Sequence, residues 1–388
     1  MNRRANYLPF GKPDFSGGEI DAVTKVLRSG WVGMGPETIA FEKELCEMMR
    51  SPNVVTVSSC TAALTLSLLV SGVRQGDEVI CPSLTWCSTA NAAVYLGAVP
   101  VFCDIDPLTL CATEETILAK LTSLTRAVVI VHYGGLAVDA EKLRKALPPD
   151  VALIEDAAHA LGACYEGGAP VGSSGNLTCF SFYANKNLST GEGGAIAVED
   201  AEIATRLRSL RQHGLAADAW QRFSHPKAIL TAELVELGYK MNYTDLQACI
   251  GRVQLRRLPE FHAKRLAIAK CYQANLLGQG AGLSFQAGIL EERHARHLLP
   301  VLLPIDRMKF SRNEFVIELR NRMVGAAIHY APLHQMDFYQ AQYSQSPLEV
   351  TERTCERVLT LPISASMSLQ DAQYTVQQFN EVMEGCLT

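Results

Sequence analysis

One lysine, Lys186, stands between an apolar run ending in Phe180-Ser-Phe182 and a glycine-rich turn, Thr190-Gly-Glu-Gly-Gly194. Upstream, a second apolar run, Val151 to Ile154, ends in Glu155-Asp156-Ala-Ala-His159. A lysine amine in such a place can condense with an aldehyde. An acid at the end of a buried strand can hold a proton on a ring nitrogen, so that the ring accepts electrons. These are the two requirements of pyridoxal 5'-phosphate (PLP) chemistry.

Other residues fit around that pair. Val54-Val-Thr-Val57 followed by Ser58-Ser-Cys-Thr61 reads as a strand running into a helix start, where free N–H groups and the helix dipole bind phosphate. Cys60 and Thr61 would offer backbone N–H, and Thr61 a hydroxyl; the same residues also suit ordinary helix capping. Trp86 could stack on a flat heterocycle or simply be core. Asp156 needs a partner if buried, either the cofactor or a structural donor. His159 could lie near the ring hydroxyl or be satisfied by backbone. Ser181 could donate to the phosphate, and the glycines after Lys186 let backbone approach closely. The chain has no Walker A lysine and no strand-linked G-x-G-x-x-G. His294 and His297 are too few for a zinc site, so no metal is expected.

These residues need strand ends to hold them. Short apolar runs at residues 54–57, 78–81, 99–103, 127–131, 151–154, 179–182 and 195–198 read as strands. Helical patterns at 61–70, 88–95, 138–147 and 201–212 lie between most of them. Strands apolar on both faces and separated by helices predict an α/β fold with a mostly parallel sheet covered on both sides, and ligands at the strands' carboxyl ends. A long helical pattern from Thr244 is expected to break at Pro259 and resume over Phe261–Leu276. Beyond it the rhythm changes: strands are expected at 297–303 and 326–329, helices at 313–322 and 369–383. The chain therefore divides into a large cofactor-binding domain, 1–258, and a smaller α+β domain, 259–388.

The bulk properties agree with an enzyme. The 388 residues are 48% hydrophobic and 19% charged, with a net charge of -5. That charge offers no basic stripe for nucleic acid. The twelve cysteines lack a C-x-x-C pair and secreted-style spacing. No signal-peptide h-region and no membrane-length apolar run is seen, so a cytoplasmic location is expected.

At these residues the chain resembles the fold-type I PLP enzymes and, within them, the sugar aminotransferase family often called DegT/DnrJ/EryC1/StrS. The resemblance runs from Leu8-Pro-Phe-Gly-Lys-Pro13 and Ser29-Gly-Trp-Val-Gly-Met-Gly-Pro36, through Gly76-Asp-Glu-Val-Ile80 and Ile154-Glu-Asp-Ala-Ala-His-Ala160, to Leu359-Thr-Leu-Pro362. It implies an aminotransferase acting on a nucleotide-linked keto sugar with glutamate as amino donor. It also implies a homodimer with shared active sites, in which Asn242 reaches the phosphate of the partner subunit's cofactor. The segment His329-Tyr-Ala-Pro-Leu-His334 resembles one near the sugar, making His329, Tyr330 and His334 candidate substrate contacts, together with Tyr183. Two positions depart from the family pattern: Tyr183 replaces the usual histidine, and Cys60 the usual glycine or alanine. Sugar dehydratases of the same family, which carry histidine in place of the lysine, and a non-catalytic protein keeping the fold are the alternatives. Lys186 and the intact cofactor set argue against each.

Overall fold

The computed structural model describes residues 4–216, 233–343 and 345–387. Seven strands form the central sheet: β1 (Asn53–Val57), β2 (Glu78–Pro82), β3 (Val99–Cys103), β4 (Thr125–Val131), β5 (Ala152–Asp156), β6 (Leu177–Ser181) and β7 (Gly194–Val198). Their order across the sheet is β1-β7-β6-β5-β4-β2-β3. Pairs from β6 to β3 are parallel, while β7 runs antiparallel to both its neighbours. The exception has a local cause. Residues 182–193 return from β6 to β7 without a helix, and a parallel pair needs a long crossover.

Alternation along each strand feeds cores on both faces. Val55 and Val57 join the cluster containing Leu64, Leu66 and Ile154. Val54 turns the other way, towards Phe41, Phe180 and Tyr243. Helices α1 (Glu19–Ser29) and α2 (Pro36–Met49) precede the sheet, and α3 (Cys60–Val70) and α4 (Ser88–Val94) follow β1 and β2. Eight of the first nine residues of α3, all but Thr61, are buried, so it serves as a core helix rather than a surface one.

The helix expected to break at Pro259 does not. It runs unbroken over Asp245–Asn275. Proline removes one hydrogen bond and clashes with the preceding turn, but packing on both sides outweighs that loss. A reciprocal capping box between Thr244 and Gln247 starts the helix. Ala248 and Leu258 anchor its first half in the sheet-side core. Ile268, Ala269 and Tyr272 anchor its second half in a C-terminal core with Phe315, Leu359 and Phe379. The boundary expected at 258/259 thus falls inside one continuous helix.

The C-terminal residues carry a small antiparallel sheet, with β8 (Ser284–Phe285) and β10 (Val358–Thr360) flanking β9 (Pro300–Leu302). The strand expected at 326–329 is reduced to a single bridge, Ala327 to Thr360. Among the described residues no helix is long and apolar enough to cross a membrane.

Candidate active site

A cavity of about 560 Å³ opens where β4, β5 and β6 end, at Val131, Asp156 and Ser181. Its wall is completed by Ser59–Thr61 at the start of α3, by Trp86 before α4, by Lys186, and by His297, His329 and Tyr330 from the C-terminal part. Open α/β sheets place ligands at this end.

Lys186 lies in the loop after β6. The Lys186 N–H donates to the Tyr183 carbonyl at 2.9 Å, and Asn187 Nδ2 donates to the Ala295 carbonyl at 2.8 Å, fixing the next turn of the loop. Burial strips water from the ammonium and lowers its pKa to about 8, although Cys60 and Asp156 pull the other way. A free amine is therefore accessible near neutral pH, as a nucleophile or a general base requires.

Glu155 and Asp156 are neighbours with opposite fates, because successive residues of a strand face opposite sides. Glu155 is fully buried and caged by His132 Nε2 (2.9 Å), Tyr165 OH (2.6 Å), Asn176 Nδ2 (2.9 Å) and the Ser174 hydroxyl. His132 Nδ1 accepts from the Val138 N–H at 3.0 Å, which leaves the hydrogen on Nε2 to donate to Glu155. Burial pushes the Glu155 carboxyl up, but these donors win and hold it below its usual range. Asp156 faces the cavity instead. It accepts from Thr89 Oγ1 (2.8 Å) and the Ala158 N–H (3.1 Å), and Cys60 Sγ lies 3.9 Å away. Burial outweighs those bonds and raises its pKa. A carboxylate so poorly compensated favours a cationic partner, and a protonated pyridine nitrogen is one.

The helix start also fits its expected ligand. Ser59 Oγ caps α3 by accepting from the Ala62 N–H at 3.1 Å, while the N–H groups of the first turn have no partner within the helix. Gly194 lies against this start so closely that a Cβ would come within 2.6 Å of the Ser59 carbonyl carbon and 2.7 Å of Cys60 N. Buried polar atoms around the cavity remain unpartnered: His159 Nδ1, His297 Nδ1 and Asn185 Oδ1. Amine, acid, anion cradle and orphaned polar atoms together suit PLP.

The structure brings Cys60, Thr61, Trp86, Asp156, His159, Ser181, Tyr183, Lys186, His329 and Tyr330 into one wall. His159 Nε2 lies 3.2 Å from Tyr330 OH, and burial together with the Lys186 charge holds its imidazole neutral. Trp86 sits at the rim, 60% exposed, with its ring 5.8 Å from that of Tyr330. Two expected residues lie elsewhere. His334 is outside the wall, buried between Ser83 Oγ (2.8 Å) and Glu352 Oε1 (3.0 Å). Asn242 does not line its own chain's cavity, and its Nδ2 donates to the Tyr243 carbonyl at 3.1 Å. The sequence reading missed Thr89 and His297 as site residues. Thr89 closes the segment that contains Trp86, and its place one helical turn from Thr85, 2.9 Å away by hydroxyls, was the available signal. His297 had none, because only long-range packing carries it to Lys186.

Fold and site together define a fold-type I PLP-dependent enzyme. The chain belongs to the DegT/DnrJ/EryC1/StrS aminotransferase family, whose model matches residues 13–380. It is 38% identical over 389 residues to the spore coat polysaccharide biosynthesis protein SpsC of Bacillus subtilis, covering 99% of both chains. Among solved structures, the aminotransferase TlmJ from Streptoalloteichus hindustanus superposes with a TM-score of 0.88 at 34% identity, covering 98% of this chain and 100% of that one. The Streptococcus pneumoniae protein Spr1654, described as a sugar aminotransferase and solved in its PMP-form, gives 0.89 at 29% identity, covering 97% and 99%. DesI, solved in the presence of its TDP-sugar product, gives 0.87 at 27% identity, covering 99% and 95%.

Proposed function

We propose that this enzyme converts a nucleotide-linked 4-keto sugar to the 4-amino sugar, with glutamate as amino donor. The observation that carries the reading is Lys186 and Asp156 on one cavity wall with a helix start beside them. The nucleotide-linked substrate is supported by the TDP-sugar product of DesI. The 4-keto sugar rests on three segments, Pro82–Thr89, Val131–Gly135 and Gly238–Asp245, which resemble those of UDP-4-amino-4-deoxy-L-arabinose aminotransferase. Bound PLP supplies an electron sink and a carrier for the amino group.

The chain's residues take these roles. Lys186 anchors the cofactor and, once released, moves a proton to and from the amine-bearing carbon. Asp156, steadied by Thr89, keeps the ring nitrogen protonated. Thr61, Ser181 and the N–H groups at Cys60 and Thr61 hold the phosphate, joined by the partner subunit's Asn242 in a cytoplasmic homodimer with shared sites. Trp86 stacks on the ring, His159 lies near the ring hydroxyl, and Tyr183, His329 and Tyr330 face the sugar. We place the domain division at 258/259.

The test is a panel of UDP-, dTDP- and GDP-linked keto sugars incubated with ¹⁵N-glutamate and followed by mass spectrometry. Label should appear in an amino sugar. Loss of water from the sugar without label would favour a dehydratase instead, although Lys186 stands where such enzymes carry histidine.

A further inference from the structure

His297 Nε2 lies 3.4 Å from Lys186 Nζ. The ring is 3% exposed, and its centroid lies 4.6 Å from that of His159, with 37° between the planes. Its backbone is pinned from three directions. Buried Arg265 donates through Nη1 to the carbonyls of Arg296 (3.1 Å), His297 (3.4 Å) and Ile363 (3.1 Å). The N–H groups of Ala295 and Leu298 donate to Gly135 and Gly134 at 2.8 and 3.0 Å. The lysine's own loop is tied to the same segment through Asn187 Nδ2 and the Ala295 carbonyl. The backbone segments that carry the ring and the lysine are therefore tied to one framework, and His297 Nε2 is the polar atom set beside Nζ.

We propose that His297 is the positioning residue for Lys186: its Nε2 accepts a hydrogen bond from Nζ whenever the amine is free. The inference rests on the reading of Lys186 as the acid–base group. The proton taken from the donor's amine-bearing carbon makes Nζ an ammonium. One of its three N–H bonds goes to His297, which directs the other two into the cavity. The same proton leaves Nζ when it is delivered, and His297 gains and loses none. Burial and the charge of Lys186 keep the imidazole neutral, so it does not compete for that proton. The role places the histidine's hydrogen on Nδ1, an atom with no protein partner.

The test compares His297→Gln, whose amide reaches the Nε2 position, with His297→Asn, one carbon shorter. Both are polar and of similar bulk. The donor half-reaction is followed in holoenzyme by cofactor absorbance in single turnovers. A hydrogen bond to a charged group sets the expected loss for His297→Asn at roughly 10- to 100-fold in rate. Donor KM and bound PLP should be unchanged, and His297→Gln should recover most of the loss. An Asn variant as fast as wild type overturns the proposal, and so does equal slowing of both variants, which would mark a packing role. Borohydride reduction of wild type separates the two readings. A label on Lys186 beside a fast Asn variant removes only the role of His297, whereas a label on another lysine removes the lysine reading and this proposal with it.

Discussion

In the role we propose, Lys186 must be unprotonated to attack, and yet it sits beside an acid that favours its ammonium. Burial decides the contest. With a pKa lowered to about 8, the ammonium dominates below that value and the reactive amine above it. Reductive methylation of Lys186 in the apoenzyme, mapped by mass spectrometry, should therefore rise to half its maximum near pH 8, well below the value of about 10.4 for a solvated lysine. Lys186→Ala should lower turnover by at least about 100-fold, the low end of what a placed acid–base group contributes, with little change in the melting temperature. Borohydride should fix the cofactor to the peptide carrying Lys186. Asp156→Asn should weaken PLP binding and turnover together. Removing one partner of a buried charge pair costs on the order of 3–5 kcal/mol, so near-normal affinity in a titration would show that the ring nitrogen is held by another group.

At the scale of elements, helix starts do the positioning. Asp245, the first residue of the long helix, also caps α2: its Oδ1 accepts from the Gly35 N–H (2.8 Å), the Thr38 N–H (2.9 Å) and Thr38 Oγ1 (2.7 Å). Asp245→Ala leaves these donors unpaired in a buried place and should cost at least about 2 kcal/mol in a urea melt. The close approach of β7 to the start of α3 has a different cost structure. Gly194→Ala would press a methyl group into the Ser59–Cys60 backbone, where backbone must move. We expect roughly 1–3 kcal/mol of destabilisation, together with weaker PLP affinity, since the displaced turn is the proposed anion cradle. Unchanged affinity in that variant would place the phosphate away from α3.

The whole molecule bears on Asn242. Its amide is turned to its own backbone and stands outside its own chain's cavity, which suits a role in a neighbouring subunit. Lys186→Ala and Asn242→Ala should then complement each other on mixing. One site of the mixed dimer carries both lesions and the other none, giving up to half the normal activity per mixed dimer. A mixture as inactive as its parents after demonstrated subunit exchange would confine Asn242 to its own chain.

Local chemistry written in short segments was legible without coordinates. The alternation of Val54–Val57, the apolar run before Asp156 and the Ser-Ser-Cys-Thr helix start specify their own conformations, because strand period, capping and burial are decided by near neighbours. The order of Asp156, Ser181 and Lys186 along the chain followed from the same logic, since each sits at or just after a strand end. Tertiary structure decided the rest. Pro259 reads as a break, but two cores hold its helix straight through it. Asp156 was singled out from the sequence, but the cage that holds its neighbour Glu155 and the cavity beside Asp156 became visible only in the fold. His334 was a candidate only through the resemblance of its segment, and Ser83 and Glu352 hold it in a buried network outside the cavity wall. His297 reaches Lys186 only because Arg265 and Asn187 clamp distant loops together. Contacts of that range depend on how complete elements pack, and no local pattern of residues records them.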